Sequence, residues 1–249
     1  MIETLKRIVI VGASSAMAEQ AARIWAEQGP CAFVLVGRDG PTLERIAQDL
    51  RLRRPKTEAQ VIVAHYISAE EVADLMARIA ALGLPDVALI AHGSLTDQKT
   101  AQSDLQVLAD ALAVNGVSAC LLAEGFAGLM APRGFGHIAV IGSVAGDRGR
   151  KTNYAYGAAK GLVERYVEGM QHRFGRTKIM VTLIKPGPTA TPMTAHLDTS
   201  KMAPVVDVAA AIVAGIESGK PVVYTPGKWR IIMAVIRNLP RVIFNRMEI

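Results

Sequence analysis

Three residues in the second half of the chain have the types and the spacing for proton transfer. Ser143 is followed thirteen positions later by Tyr156, and Lys160 stands four positions beyond that. A helix that begins near Tyr156 would place phenol and ammonium on one face, one turn apart. A nearby ammonium lowers the pKa of a phenol from about 10 toward neutrality. Such a set can move a proton on or off a carbinol oxygen. It cannot move a hydride, so we expect a cofactor site elsewhere in the chain.

The beginning of the chain has the pattern of a dinucleotide-binding unit. The apolar run RIVIV comes directly before Gly12, and a helical pattern follows. The amino end of such a helix accepts a pyrophosphate. Ala16 and Ala18 stand where second and third glycines are common, and Ser14 and Ser15 could donate to phosphate. Taken alone, the pattern fits an ordinary strand–helix turn equally well.

The end of the second strand bears on the choice of cofactor. An acidic residue at this point binds the ribose diol of NAD, whereas an arginine suits the 2′-phosphate of NADP. Here Gly37 occupies the position of the acid and Arg38 follows it, which favours NADP(H) and leaves NAD(H) open. Arg38 could instead stack on the adenine or cap the next helix. Asp39 is predicted to cap that helix.

Strands alternate with helices along the chain, which predicts an α/β fold: one Rossmann-type, doubly wound parallel sheet of about seven strands with helices on both faces. With 249 residues, 51% of them hydrophobic, the chain suits one catalytic domain over residues 1–227. Residues 228–249 form a basic amphipathic segment expected to pack on or beside it. Cys31 and Cys120 lack metal-type spacing and are interpreted as buried thiols, so no metal site is expected.

Read together, the motifs of this chain are similar to those of the short-chain dehydrogenase/reductase family, from Arg7 to about Thr225. The resemblance implies that Tyr156 is the acid/base and that Ser143 orients the substrate oxygen. It also implies that Lys160 lowers the phenol pKa and holds the nicotinamide ribose. Asn115, in a long helix predicted from about Ser103 to Met130, would hold a water that links Lys160 to solvent. By itself Asn115 could equally mark a helix kink.

The same resemblance supplies the cofactor contacts. The PGPTAT stretch would meet the nicotinamide carboxamide, and the NNAG that usually follows the fourth strand is IAHG here. His92 in that stretch is expected to pack beside the cofactor, and Tyr154, which lacks a lysine four positions on, is assigned to packing. The expected cofactor-binding residues are Gly12, Ser14, Ser15, Ala16, Met17, Arg38, Ala91, Gly93, Tyr156, Lys160, Pro186, Gly187, Thr189 and Thr191.

A narrower resemblance concerns the substrate. GDRGRKTNYAYGAAKG, PMTAHL and the C-terminal tail are similar to the decaprenylphosphoryl-2-keto-ribose reductase branch of the family, which reduces a 2-keto pentose joined to a polyprenyl phosphate. Arg148, Arg150 and Lys151 lie between the catalytic Ser and Tyr, where such a substrate needs cations. A solvated charged turn is the alternative. Met193 is a further candidate substrate contact, in a loop over residues 189–204 that is expected to close over the cleft.

The tail carries much of the excess positive charge of a chain with a formal net charge of +6. From Trp229 to Met247, apolar runs alternate with single arginines. The segment could lie in a membrane interface, cover the substrate cleft or contact another subunit. Aromatic residues make up only 5% of the chain, which argues against nucleic-acid binding. We expect a cytoplasmic protein, with the inner face of the membrane as a peripheral site.

The sequence therefore predicts an NAD(P)H-dependent reductase of a ketone on a sugar or a lipid-linked sugar. A generic carbonyl or 3-oxoacyl reductase is the enzymatic alternative. A dinucleotide-sensing regulatory protein without turnover is the alternative from another class. Relatives commonly pair through the helices that bear Asn115 and Tyr156, which implies a homodimer or homotetramer.

Overall fold

The computed structural model describes residues 5–194, 198 and 200–247. Seven strands form one sheet in the order β3-β2-β1-β4-β5-β6-β7, and every neighbouring pair is parallel. The strands are β1 (Lys6–Val11), β2 (Cys31–Gly37), β3 (Glu58–Val63), β4 (Val87–Ile90), β5 (Phe135–Ile141), β6 (Lys178–Pro186) and β7 (Val222–Thr225). The predicted fold class is confirmed.

Ten α-helices are present in the described part of the chain. They are α1 (Ala16–Gln28), α2 (Gly40–Arg53), α3 (Ala69–Leu82), α4 (Gln98–Ser103), α5 (Leu105–Leu112), α6 (Ser118–Met130), α7 (Tyr154–Phe174), α8 (Val205–Glu217), α9 (Lys228–Asn238) and α10 (Arg241–Phe244). The core lies in two layers, because the strands are apolar on both sides. Helices α1, α2 and α8 cover one face of the sheet, and α3, α6 and α7 cover the other.

The long helix predicted from about Ser103 to Met130 is interrupted. Asp104 ends α4 and begins α5, where its side chain accepts hydrogen bonds from the N–H groups of Gln106 and Val107. A π-helical segment, Ala113–Val117, then joins α5 to α6. By length and composition alone the stretch 105–133 could cross a membrane, but its α6 part packs within the domain, against the sheet.

The C-terminal helices are attached to the active-site end of the domain. Nη1 of Arg148 donates to the carbonyls of Ile236 and Leu239, at the carboxyl end of α9. The same guanidinium lies 3.7 Å from the centroid of the Phe244 ring. The indole of Trp229 lies directly over Gly187, where a Cβ atom would be 2.0 Å from the indole Nε1. The tail therefore contacts both the loop after β5 and the loop after β6.

A buried ionic cluster fixes the same region. Nζ of Lys185 lies 2.7 Å from Oδ1 of Asp147 and 2.8 Å from Oε2 of Glu164. Nη1 of Arg237 on α9 lies 3.5 Å from Oδ1 of Asp147, and the Tyr224 hydroxyl donates to the same carboxylate. The loop after β5, helix α7 and strands β6 and β7 are thus held together by charge as well as by packing.

Part of the loop expected over the cleft, residues 195–197 and 199, lies outside the described residues, as do residues 1–4 and 248–249. The described part of the loop is ordered by hydrogen bonds. Thr194 donates through Oγ1 to the carbonyl of Thr189, and Thr189 pairs with Ala203 in an isolated β-bridge.

Candidate active site

Ser143, Tyr156 and Lys160 line one cavity, which has a volume of ≈ 250 Å³ and opens at the carboxyl ends of β5 and β6. Strand β5 delivers Ser143, and α7 carries Tyr156 and Lys160 one turn apart. Nζ of Lys160 lies 5.8 Å from the centroid of the Tyr156 ring and donates to the carbonyl of Ile141 at 2.9 Å. The hydroxyl of Ser143 also accepts from the N–H of Ala145, so it caps the turn after β5 while it faces the cavity.

The expected lowering of the Tyr156 pKa is wrong in direction for the protein alone. Burial raises the pKa of the phenol, and the hydrogen bond with Ser143 acts in the opposite direction without reversing the shift. The ammonium of Lys160 is held on a backbone carbonyl of β5. Burial lowers the pKa of Lys160 from 10.5 to about 8. A phenol with a raised pKa is protonated at neutral pH, but it is a weaker acid than a free phenol.

Asn115 and Lys160 meet at Gly93. A Cβ atom on Gly93 would lie 3.0 Å from Oδ1 of Asn115 and 3.9 Å from Nζ of Lys160. The same Asn115 oxygen accepts from the N–H of Ser94 at 2.9 Å, and its amide donates to the carbonyl of Ala111 at 3.0 Å. Asn115 therefore lies in the π-helical segment and also close to Lys160. The interpretation as a helix kink and the interpretation as part of the site are compatible.

A second cavity, of ≈ 680 Å³, begins at the amino end of α1 and is lined by Gly12, Ser14, Ser15, Ala16 and Met17. At α1, the N-cap residue Ser15 makes no side-chain capping bond, so the first-turn N–H groups are available to a ligand. Gly12 has φ +79°, and a Cβ atom there would lie 2.5 Å from the backbone nitrogen of His92. This glycine is therefore required by the close approach of two loops, whereas alanine suffices at the other two glycine positions.

The far end of this cavity is lined by Arg38, Asp39, His65, Tyr66 and Ile67. Arg38 is exposed at the end of β2. Asp39 caps α2, as predicted: its carboxylate accepts from the N–H of Thr42 at 3.2 Å and from the hydroxyl of Thr42 at 2.6 Å. His65 and Tyr66 were not among the cofactor contacts expected from the sequence.

His92 lines both cavities. The Ser118 hydroxyl donates to the carbonyl of Tyr66 at 2.6 Å and lies 3.0 Å from Nε2 of His92. Because that hydroxyl has one proton, Nε2 is the donor to Ser118 and Nδ1 is left as an acceptor. Nδ1 is buried and has no hydrogen-bond partner among the described residues. Burial lowers the pKa of His92 to about 3, and Lys160 acts in the same direction, so the ring is neutral.

The residues around the larger cavity fit a nicotinamide dinucleotide. An uncapped helix end faces the pyrophosphate position, Gly12 permits a close backbone approach, and His92 offers an unused acceptor. The cavity continues toward the catalytic residues past Ala91 and Gly93, and Thr191 and Met193 line both cavities. Pro186, Gly187 and Thr189 line the catalytic cavity only.

The structure separates the two arginines that were expected at the substrate. Arg150 lines the catalytic cavity. Arg148 is not among the residues around either cavity, because its guanidinium is bound to α9 and to the Phe244 ring. Tyr154, which was assigned to packing, is 45% exposed in the single chain. The description of Cys31 and Cys120 as buried thiols is confirmed.

Among the described residues, no group of three or more His, Cys, Asp and Glu side chains could hold a metal ion. The site is thus built for a dinucleotide beside a Ser–Tyr–Lys set, on a parallel α/β sheet. These features define a class of dinucleotide-dependent oxidoreductases, and comparison with known proteins agrees.

Residues 6–202 match the family described as short chain dehydrogenase, and the chain belongs to that family. It is therefore an oxidoreductase. An uncharacterized oxidoreductase of Streptomyces coelicolor is 27% identical over 98% of this chain and 96% of its own length. Another, from Staphylococcus epidermidis, is 30% identical over 78% of this chain and 82% of its own.

Solved structures show the same fold. A short-chain dehydrogenase of Sphingobium yanoikuyae in complex with NADPH superposes with a TM-score of 0.82 and 22% identity, covering 95% of this chain and 97% of that one. A short-chain dehydrogenase of Burkholderia cenocepacia J2315 in complex with NADP gives a TM-score of 0.83 with 16% identity over the whole of both chains.

Proposed function

We propose that the protein is an NADPH-dependent reductase of a ketone on a sugar or a polyprenyl-phosphate-linked sugar, with Tyr156 as the acid. The observation that carries the proposal is the meeting of Ser143, Tyr156 and Lys160 in one cavity that opens into the dinucleotide cavity. Neither cavity alone would suffice. A protein that only binds a dinucleotide would need only the dinucleotide cavity, and a hydrolase would have no use for that cavity.

The bound cofactor supplies the hydride, with its two electrons, to the carbonyl carbon. The chain itself supplies the proton and the electrostatic environment. Tyr156 gives its proton to the ketone oxygen while the Ser143 hydroxyl donates a hydrogen bond to the same oxygen. The resulting phenolate lies near the Lys160 ammonium, which stabilises it until a proton returns from water.

The preference for NADPH rests on the end of β2. Arg38 lines the dinucleotide cavity and is exposed, and no ion pair between Arg38 and another described residue occupies its guanidinium. An arginine in this place suits a 2′-phosphate. The two similar structures named above contain NADPH and NADP, which is consistent with this choice. NAD(H) remains the alternative cofactor.

A sugar head group is supported by the size of the catalytic cavity. Its volume of ≈ 250 Å³ is below the roughly 300–1,000 Å³ typical of pockets for drug-sized ligands. A small polar head group fits, and a polyprenyl chain attached to it would have to extend outside. Arg150 in the cavity provides a cation for a phosphate at the junction.

The tail offers a place for such a lipid. Ile231, Val235, Val242 and Ile243 are 72%, 58%, 68% and 52% exposed on α9 and α10, and the arginines of the tail flank them. Exposed apolar side chains beside cations suit the headgroup region of an anionic membrane. We therefore favour peripheral membrane contact among the three roles considered for residues 228–249. The attachment to Arg148 would keep this surface beside the site.

A second exposed apolar surface supports a homo-oligomer. Leu105, Val117, Tyr154 and Leu162 are 78%, 44%, 45% and 44% exposed on α5–α6 and α7. These helices bear Asn115 and Tyr156, the pair through which relatives commonly associate. A homodimer or homotetramer that buries this surface is the proposed assembly.

The experiment that tests the function compares the wild type with Tyr156→Phe. We expect NADPH oxidation in the presence of a phosphorylated keto-sugar to be abolished by the substitution, while NADPH binding measured by fluorescence changes less than about twofold. Tyr154→Phe is the matched control, because it makes the same chemical change, loss of a phenol hydroxyl, two positions earlier on α7. Turnover retained by Tyr156→Phe, or lost equally by Tyr154→Phe, would contradict the proposal.

A further inference from the structure

Buried polar atoms without partners are concentrated at the two cavities. Among the described residues, four buried side-chain atoms have neither a hydrogen bond nor an ion pair, and three of them belong to His92, Arg150 and Asn153. His92 lines both cavities, whereas Arg150 and Asn153 line only the catalytic one. A buried polar atom without a partner is costly in free energy unless a ligand satisfies it. Nε of Arg150 and Oδ1 of Asn153 therefore point to groups that the substrate should bring.

Asn153 stands where its side chain would normally serve α7. It is the N-cap residue of that helix, a position at which asparagine accepts a hydrogen bond from a first-turn N–H group. Here its side chain makes no capping bond. Oε1 of the buried Gln98 on α4 accepts from the N–H of Ala155 at 2.9 Å instead. Because Gln98 satisfies the helix end, the amide of Asn153 is left to the cavity.

Arg150 differs in the same way from Arg148, two positions earlier. The Arg148 guanidinium is bound to the carbonyls of Ile236 and Leu239. The Arg150 guanidinium, in contrast, makes no hydrogen bond or ion pair with any residue that the structure describes. Burial lowers the pKa of Arg150, and no carboxylate opposes that effect. A partly buried cation in this position is stabilised when a ligand supplies the anion.

We propose that Arg150 and Asn153 form a two-point substrate subsite. The guanidinium binds an anionic oxygen of the substrate, in a phosphate ester or a carboxylate, and the amide binds a hydroxyl group next to the ketone. An amide presents an acceptor or, after rotation, a donor, and a hydroxyl can pair with either. The substrate class is thus a hydroxyketone whose anionic group lies inside the ≈ 250 Å³ catalytic cavity. This inference rests on the proposed reductase function.

The test measures kcat/KM with NADPH on a matched set of ketones. Dihydroxyacetone phosphate has a hydroxyl and a phosphate, dihydroxyacetone lacks the anion, and 2-oxopropylphosphonate lacks the hydroxyl. In a second pair, 5-hydroxy-4-oxopentanoate and 4-oxopentanoate, a carboxylate takes the place of the phosphate or phosphonate. The first of the two has the hydroxyl next to the ketone, and the second lacks it. We expect Arg150→Gln to lower the preference for anionic over neutral ketones about 10- to 100-fold, the range of a charged hydrogen bond. For each anionic ketone, kcat/KM is compared with that of the neutral dihydroxyacetone. The anion, phosphate or carboxylate, whose ratio falls more strongly in Arg150→Gln is the one that Arg150 binds.

Asn153→Ala should lower the preference for hydroxylated over deoxy ketones about 2- to 10-fold. It should leave Tm within about 1 °C, whereas Gln98→Ala should lower Tm by about 2–4 °C because it removes the cap of α7. The exposed Arg176, in the turn after α7, provides the matched control Arg176→Gln, for which all preferences should remain at wild-type values.

Two results would overturn the subsite. One is an equal loss on all five ketones in Arg150→Gln, which would show a positioning role without recognition of the anion. The other is a fall in Tm in Asn153→Ala as large as that in Gln98→Ala. If the wild type reduces none of the five ketones, the reductase function itself fails for this class. Calorimetric binding of dihydroxyacetone phosphate to the wild type and to Arg150→Gln, with NADP⁺ present, then decides the subsite separately: equal affinities overturn it, and a loss of about tenfold or more supports it.

Discussion

Replacing Lys160 by methionine should stabilise the folded protein at neutral pH while it damages the site. Lys160 is 3% exposed, and its Nζ has the Ile141 carbonyl as a hydrogen-bond acceptor. No carboxylate of the described residues forms an ion pair with it. Burial accordingly lowers its pKa from 10.5 to about 8. Methionine has a similar length and carries no charge to desolvate.

The size of the effect follows from the two pKa values. Between about pH 8 and pH 10.5 the unfolded chain binds more protons than the folded one, so the free energy of unfolding rises with pH. One pKa unit corresponds to about 1.36 kcal/mol, so the charged side chain destabilises the fold by about 3 kcal/mol at pH 7. By about pH 9.5 the folded lysine is neutral and roughly 1 kcal/mol of the effect remains. The advantage of Lys160→Met over the wild type should therefore shrink by about 2 kcal/mol over this range.

The measurement is urea unfolding of both proteins without cofactor, followed by far-ultraviolet circular dichroism at the two pH values. The difference between the proteins is the informative quantity. Burial raises the pKa of Cys31 and Cys120. The contribution of Cys31 cancels between the two proteins, but the charge of Lys160 lowers the pKa of Cys120, so both proteins carry Cys120→Ala. Lys178→Met, at an exposed lysine at the beginning of β6, is the matched control and should show no such dependence. A stability difference between Lys160→Met and the wild type that is constant with pH would refute the reasoning.

Four further outcomes follow from the structure. Arg38→Ala should weaken NADPH binding by about tenfold or more while NADH binding changes little; an equal loss for both, by fluorescence titration, would exclude a 2′-phosphate contact. Gly12→Ala should destabilise the fold by roughly 1–3 kcal/mol and abolish NADPH binding, because its Cβ meets the backbone of His92; unchanged binding contradicts this. Asp147→Asn should cost about 3–5 kcal/mol in urea unfolding by breaking a buried ion pair, and a loss below about 1 kcal/mol would show that the pair is unimportant. Val235→Glu should reduce co-sedimentation with anionic vesicles at least about tenfold, and undiminished co-sedimentation would show that α9 does not contact the membrane.

The meeting of Ser143, Tyr156 and Lys160 was predictable because its geometry is local. A strand that ends at Ser143 and a helix that carries Tyr156 and Lys160 bring the three side chains together on any parallel α/β sheet. The strand, turn and helix around Gly12 were also predicted, because the apolar run and the helical pattern lie on either side of that glycine. Pattern and local geometry are enough wherever the partners are close in sequence.

Long-range packing decided the points that the sequence could not give. In the sequence, Arg148 and Arg150 are equivalent candidates. In the structure, the Arg148 guanidinium binds carbonyls at the end of α9, roughly 90 residues later in the chain. The direction of the Tyr156 pKa shift depends on how deeply the whole domain buries the phenol, which spacing does not reveal. Asn153 carried the signature of a helix cap, and only the position of Gln98 in the fold shows that the cap is supplied from elsewhere.

The cations in the interior of this protein differ in whether the fold supplies a carboxylate partner. Burial alone would lower the pKa of Lys185, but Asp147 and Glu164 reverse that effect and raise it, so this lysine is satisfied by the fold. The buried Lys160 and the partly buried Arg150 have no carboxylate partner in the described part of the chain, and both line the catalytic cavity. A fold selected only for stability would pair these charges or replace them with apolar side chains. Their retention beside Tyr156 is best explained by partners that arrive with the ligands: a phenolate formed during reduction for Lys160, and an anionic group of the substrate for Arg150.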